Sequence, residues 1–294
     1  MKPPSFQYHA PHNLDEALSL LTQHGSDAKV LAGGQSLVPM MNFRVAQPAI
    51  LIDINRIKEL AYIKDGNDGL RIGAMTRQRT IERDATIAKR APLLHETVPH
   101  IAHPQIRNRG TIGGSVAHAD PAAELPTIML TLNAKLLAKS QKGERWIEAK
   151  DFFVGLFTTA LEPDELLAEI QIPDLPARSG YAFEEVARRH GDYAMMGAAA
   201  TMTLDESGKC KDVRLVFLSV GETPLLSSSA AQVLIGNKPT PELIQSAAAN
   251  TDITPSSNIH ASERYRKHLA NVLGKRVLTK AYQRAQGAEK TTKN

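Results

Sequence analysis

Two short stretches of this chain carry residues whose types and spacing suit anion binding. "LAGGQSL" runs from Leu31 to Leu37 and "TIGGSV" from Thr111 to Val116; each sets a double glycine before a small hydroxyl residue and an apolar one. Glycine lets backbone approach a ligand closely and take up positive φ, and successive N–H groups in such a bend form a concave anion site. Where a helix starts at the bend, its unpaired N–H groups and its dipole add to the preference for phosphate. Two loops of this kind can grip the two phosphates of one pyrophosphate from opposite sides. The ordinary alternative is a tight turn after a strand, because neither loop has the GxGxxG or GK[ST] pattern of the common nucleotide motifs.

The elements that must position these loops are legible around them. "HNLDEALSLLTQHG" reads as a helix: Asn13 caps it, Glu16 completes a capping box, Ala17, Leu18 and Leu21 form its apolar face, and Gly25 ends it. "AKVLA" is a buried strand running into the first bend, and "AILIDI" is a second β-branched strand. "ELAYIKDGNDGLRIGAM" reads as a hairpin, residues 80–100 as helix interrupted at Pro92 and Pro99, and Asp120 and Pro121 as the cap and first position of a short helix. "AKLLAKSQKGERWIEA" and "ELLAEIQIP" add strands, and "PDLPARSG" (173–180) reads as a linker. Beyond it come a hairpin, "AAATMTLDESGKCKDVRLVFLSVG", and a long amphipathic helix with Tyr265, Leu269, Val272, Leu273, Val277 and Ala281 on one side.

Composition narrows the function classes. The 294 residues are 42% hydrophobic and 22% charged, enough for real cores. Cys210 is the single cysteine, so the chain by itself can hold neither a disulfide nor an iron–sulfur cluster. The formal charge of +4 is scattered and aromatics are 5%, which argues against nucleic-acid binding. No run reaches the roughly 20 apolar residues of a membrane span, and the start lacks a signal-like apolar core, so a cytoplasmic protein is expected. His100, His103 and His118 surround the second loop without a metal-ligand spacing, and no metal is assigned to them.

The strings "LAGGQSLVPMMNFR", "IRNRGTIGGSVAHADPAAELP" and "HGDYAM", in this order, resemble the FAD-binding medium subunit of molybdenum hydroxylases, the family of the carbon monoxide, quinoline, nicotinate and caffeine dehydrogenase subunits and of the xanthine dehydrogenase flavin domain. The resemblance covers nearly the whole chain. It implies an α+β chain: a two-subdomain FAD-binding fold of the vanillyl-alcohol oxidase/PCMH type (1–55 and 56–177), then a C-terminal α+β domain (178–287) and a tail (288–294). It implies non-covalent FAD with the pyrophosphate between the loops. Backbone contacts then come from Ala32, Gly33, Gly34, Gln35, Ser36 and Leu37, and from Thr111, Ile112, Gly113, Gly114 and Ser115. Lys29 is expected toward the adenine end. Ser115 stands where relatives often carry asparagine. Glu124 is expected at flavin hydroxyls, with a solvated helix residue as its plain alternative. Tyr193 is expected to gate the flavin face, and Leu167 to lie near the flavin or simply in a buried strand.

The same resemblance implies an electron-transfer subunit of an oxidoreductase. Its partners are a small subunit with 2Fe-2S clusters and a large molybdopterin-binding subunit, in a dimer of heterotrimers. No residue of this chain then meets the organic substrate. The lone Cys210 argues against the benzoyl-CoA branch, which carries an extra cluster-binding loop. A free-standing flavin-dependent oxidase of the same fold, and a nucleotide-binding regulatory module, are the alternatives.

Overall fold

The computed structural model describes residues 1–287; the tail expected from 288 lies outside them. Three main sheets and one two-stranded ribbon organise the described residues. The first is small and fully parallel. β1 (Gln7–His9) is followed by α1 (Leu14–His24), β2 (Ala28–Leu31), α2 (Leu37–Asn42) and β3 (Ile50–Asp53), with β3 in the centre of the order β1-β3-β2. The capping box holds α1 as its sequence predicts: Asn13 Oδ1 accepts the Glu16 N–H at 2.9 Å. Glu16 reaches back to the His12 N–H at 2.8 Å, one residue beyond the usual box. Gly25, at φ +50°, ends the helix. β1 has no strand pattern of its own in the sequence, and parallel pairing to β3 creates it.

The second sheet is antiparallel. The hairpin β4 (Ile63–Gly66) and β5 (Gly69–Gly73) opens it. The chain then leaves for a run of short helices: α3 (Gln78–Arg83), α4 (Ala85–Arg90), α5 (Pro92–Thr97), α6 (Pro104–Arg107), α7 (Ile112–His118) and α8 (Glu124–Thr131). Asp84 adds a break inside the expected 80–100 helix, because its carboxylate caps α4 by taking the Ile87 N–H at 2.9 Å. The helix expected at Asp120–Pro121 begins instead at Glu124; Asp120 closes a turn, accepting the Ala122 N–H at 2.9 Å and, through its carbonyl, the Ala123 N–H at 3.0 Å.

The sheet resumes with the hairpin β6 (Lys135–Ser140) and β7 (Gly143–Glu148). After α9 (Ala149–Phe152) and the two-stranded β8 (Phe153–Gly155) and β9 (Thr158–Thr159), β10 (Leu166–Ile172) enters the middle of the order β4-β5-β10-β6-β7. Every residue of α8 is buried, and it packs between this sheet's core and the next layer.

The third sheet is an antiparallel meander, β11 (Ser179–Val186), β12 (Met196–Leu204), β13 (Cys210–Leu218) and β14 (Leu225–Leu226). It is backed by α10 (Ser228–Leu234), α11 (Pro241–Ala249) and α12 (Glu263–Ala285). The buried side of α12 is rotated from the expected face. Leu269, Leu273, Val277 and Ala281 lie inward, but Arg266, Ala270, Gly274 and Leu278 join them, while Tyr265 is exposed and Val272 half-exposed. Small residues set that rotation: Gly180 on β11 comes so close that a Cβ there would fall 1.9 Å from the Ala281 carbonyl oxygen. The Arg284 guanidinium ties the far end of α12 to Glu96 of α5 at 2.8 and 2.9 Å.

Candidate functional site

The first glycine loop leaves the C-terminal end of β2. Gly34 takes φ +75°, a conformation that side chains disfavour, and turns the chain into α2. The Val38 N–H reaches back to the Gly34 carbonyl at 3.2 Å and the Gln35 amide holds the Gly33 carbonyl at 3.0 Å. Among the described residues, no protein group accepts the N–H of Gly33, Gly34, Gln35 or Ser36. Consecutive unpaired N–H groups at the carboxyl end of a parallel strand make a ready anion cradle.

The second loop is built differently. Thr111 is the N-cap of α7, and its Oγ1 accepts the Gly114 N–H at 3.0 Å, so Gly113 and Gly114 form the first helical turn rather than a bend. The N–H groups of Ile112, Gly113 and Ser115 go to the carbonyls of Thr76 (3.0 Å), Ala74 (2.9 Å) and Thr111 (3.2 Å). The glycines here serve approach: a Cβ on Gly113 would fall 2.3 Å from Ala74 Cβ. Free amides are thus concentrated in the first loop.

The two loops touch. A Cβ on Gly33 would lie 2.5 Å from the Arg109 carbonyl oxygen and 2.8 Å from Gly110 Cα, and one on Gly114 would lie 3.3 Å from Ala32 Cβ. Behind them runs a polar lattice absent from the sequence expectations. Asn55 donates from Nδ2 to the Ala32 carbonyl at 2.7 Å, and its Oδ1 accepts from Arg77 Nη2 at 2.7 Å. Arg77 Nη1 also donates to the Arg109 carbonyl. Asp53 accepts from the Tyr8 hydroxyl at 2.5 Å and the Asn55 N–H at 2.9 Å. Burial pulls the Asp53 carboxyl up, but these donors and the Arg109 charge outweigh it and hold the pKa below the usual range. The signal for these residues was positional: Asp53 ends the central parallel strand, Asn55 follows two residues later, and Arg109 stands two residues before the second loop.

The remaining expected residues stand on β2, α8, the β11–β12 loop and β10. Lys29 is exposed on β2 and lies within electrostatic range of His118. Glu124 is not a solvated helix residue: it is 9% exposed, and burial, followed by the charge of Glu185, pushes its carboxyl up to about 8. Tyr193, on the β11–β12 loop, is 68% exposed, with Asp120 and Glu124 near its hydroxyl; partial burial of that end and then the two charges raise its pKa. Its loop is fixed by Gly191, at φ +89° against His103, and by the Ser219 hydroxyl on the Ala194 carbonyl at 2.7 Å. Leu167 is 5% exposed in the core; its neighbour Ala168 accepts the N–H of Ala74, the residue against which Gly113 packs. The three histidines have separate neighbours: His100 meets Glu185 and Phe183, His103 meets Gly191, and His118 stacks on Phe157. A groove of about 910 Å³ runs along α12, lined among others by His268, Lys275 and Lys280, away from both glycine loops.

Comparison with known proteins fits this geometry. The model of the FAD binding domain in molybdopterin dehydrogenase matches residues 4–175, and that of the CO dehydrogenase flavoprotein C-terminal domain matches 181–281. The chain is 46% identical over 288 residues to the 6-hydroxypseudooxynicotine dehydrogenase complex subunit alpha of Paenarthrobacter nicotinovorans, covering 97% of each. It is 39% identical to the carbon monoxide dehydrogenase medium chain of Hydrogenophaga pseudoflava, covering 97% of this chain and 99% of that one. Among solved structures, a chain of the carbon monoxide dehydrogenase from H. pseudoflava superposes with TM-score 0.93 at 40% identity, covering 97% and 99%. A chain of quinoline 2-oxidoreductase from Pseudomonas putida 86 does so with TM-score 0.91 at 39% identity, again covering 97% and 99%. The chain belongs to the family of FAD-binding medium subunits of molybdenum hydroxylases, an oxidoreductase family.

Proposed function

We propose that this chain is the electron-transfer subunit of a molybdenum hydroxylase, taking electrons from 2Fe-2S clusters of a small subunit and passing them to an external acceptor. The observation that carries the reading is the packed pair of glycine loops, one of which holds the unpaired amides of Gly33 to Ser36. Bound FAD supplies a carrier able to exchange electrons singly or in pairs. The chain's own residues bind and orient it. The first-loop N–H groups receive the pyrophosphate, and the second loop, from Thr111 to Ser115, packs against the first and holds it in place. Lys29 lies toward the adenine end, Glu124 toward the sugar-like hydroxyls, and Tyr193 against the flavin ring.

The division at 55 and 177 belongs to this reading, with FAD between the first two units. So do a large molybdopterin-binding partner, a dimer of heterotrimers and a cytoplasmic location. No helix among the described residues is long and apolar enough to cross a membrane. The test is purification from the native host, with a visible spectrum and a denaturing gel. Flavin bands under broad iron–sulfur absorption, with two additional chains, are expected. Flavin in this chain alone would replace the reading with a free-standing flavoenzyme, and a flavin-free nucleotide complex would replace it with a regulatory module.

A further inference from the structure

Three elements meet on Ser219, the first residue beyond β13. Its N–H donates to the Pro121 carbonyl at 2.8 Å, in the turn that leads into α8. Its hydroxyl donates to the Ala194 carbonyl at 2.7 Å, in the loop between β11 and β12. Its own carbonyl accepts from Arg266 Nη1 at 2.6 Å, and Arg266, on α12, is itself buried. Pro121 directly follows Asp120, and Ala194 directly follows Tyr193. One buried serine thus joins the segment that carries Tyr193 to the turn that carries Asp120, which stands near the Tyr193 hydroxyl.

The backbone at this junction is strained. Ser219 takes φ +62°, a region that most side chains avoid and glycine enters freely. Such a conformation persists only where neighbours over-determine it, and it clusters where a protein fixes a functional geometry. A glycine would relieve the strain and keep both backbone bonds, so the hydroxyl is what a serine adds here. The Tyr193 loop depends on that hydroxyl. Among the described residues, no other group outside the loop bonds the backbone of 191–194. The neighbouring bonds, Asp192 N–H to Arg189 at 3.1 Å and Met195 N–H to Val186 at 2.8 Å, stay within the loop and its flanking strand.

We propose that Ser219 is a positioning residue for Tyr193: its hydroxyl and N–H pin the Tyr193 loop to the Asp120 turn, and Arg266 holds it from behind, so that the phenol keeps one place against the flavin ring. The tether stands on this chain alone; its consequence for the flavin rests on the FAD reading above.

Hydrogen–deuterium exchange of the full-length apo chain tests the tether. In Ser219→Gly and Ser219→Ala, peptides spanning 187–195 should exchange about five- to tenfold faster, while β12, β13 and α12 keep their native rates. Thermal melts confirm that both variants fold, and the glycine, which fits the positive φ, should melt closer to the native chain. Native exchange at 187–195 in either folded variant, or exchange that rises evenly over the whole chain, overturns the tether. Flavin reoxidation by stopped flow tests the consequence, in a double-mutant cycle with Tyr193→Ala. Ser219→Ala should change the rate about threefold or more with Tyr193 present and leave it unchanged in the Tyr193→Ala background. Equal changes in both backgrounds, or no change in either, overturn its action through Tyr193. Failure of the native chain to bind FAD would refute the flavin reading and this consequence together, and would leave the exchange result standing.

Discussion

Replacing Gly33 by alanine asks whether the contact between the loops sets the cofactor site. The added Cβ would sit 2.5 Å from the Arg109 carbonyl oxygen and 2.8 Å from Gly110 Cα, against an ordinary contact distance of 3.4 Å or more. Both neighbours are backbone, so no side chain can swing aside; the loops must part by roughly 0.9 Å. That displacement carries the Gly33 to Ser36 N–H groups away from the second loop and loosens the Arg77 bond to Arg109. Overpacking of this kind costs about 1–3 kcal/mol. Falling on the bound geometry, it weakens FAD binding by roughly 5- to 150-fold. The assay is flavin retained after gel filtration, with Kd from flavin fluorescence. Gly208→Ala is the control: unlike Gly33, Gly208 has positive φ, +80°, but its Cβ would meet nothing within 4 Å, so it registers only backbone strain remote from the loops. Folded Gly33→Ala with native flavin content and Kd would refute the two-loop argument.

Three further outcomes are expected. Tyr193→Ala should leave FAD bound, because the ring is exposed and its loop is anchored by Gly191 and Ser219, but should change the rate of flavin reoxidation in stopped-flow measurements; an unchanged rate would remove Tyr193 from the site. Thermal stability should fall as pH rises from about 5 through about 8. The Glu124 carboxyl has a folded pKa raised to about 8, so its contribution is complete below its unfolded value of 4.5 and is lost as pH climbs through 8. Glu124→Gln should flatten that part of the melting profile, and an unchanged slope would count against it. Cys210 is 1% exposed and burial, followed by the Asp212 and Asp205 charges, pushes its thiol up to about 12. A thiol reagent at pH 8 should therefore label it only on unfolding, and rapid labelling of the native chain would contradict the packing of β13.

What the sequence determined by itself was local. The Asn13 and Glu16 capping box, the turns at Gly66–Gly69 and around Gly208, and the two double-glycine loops rest on short-range rules, and each stands where its residues put it. The three motif strings sufficed for the family, because their order and identity do not depend on knowing the packing.

Only the tertiary structure decided the rest. The two glycine loops look alike in sequence, yet one has free amides and the other a Thr111-capped helical turn, because Ala74 and Thr76 of the neighbouring segment claim the second loop's N–H groups. Glu124 has the sequence context of an exposed first-turn acid and becomes a buried one because the third sheet closes over α8. The inward face of α12 keeps Leu269, Leu273, Val277 and Ala281 from its own apolar pattern, but it leaves Tyr265 and Val272 out where Gly180, about a hundred residues away in the chain, closes on Ala281. Arg77, Asn55 and Asp53 gain their roles only once β3, the second loop and the turn after β5 meet. Local propensity acts over one or two turns of chain, whereas a site's hydrogen bonds and burial are set by whichever distant backbone arrives beside it.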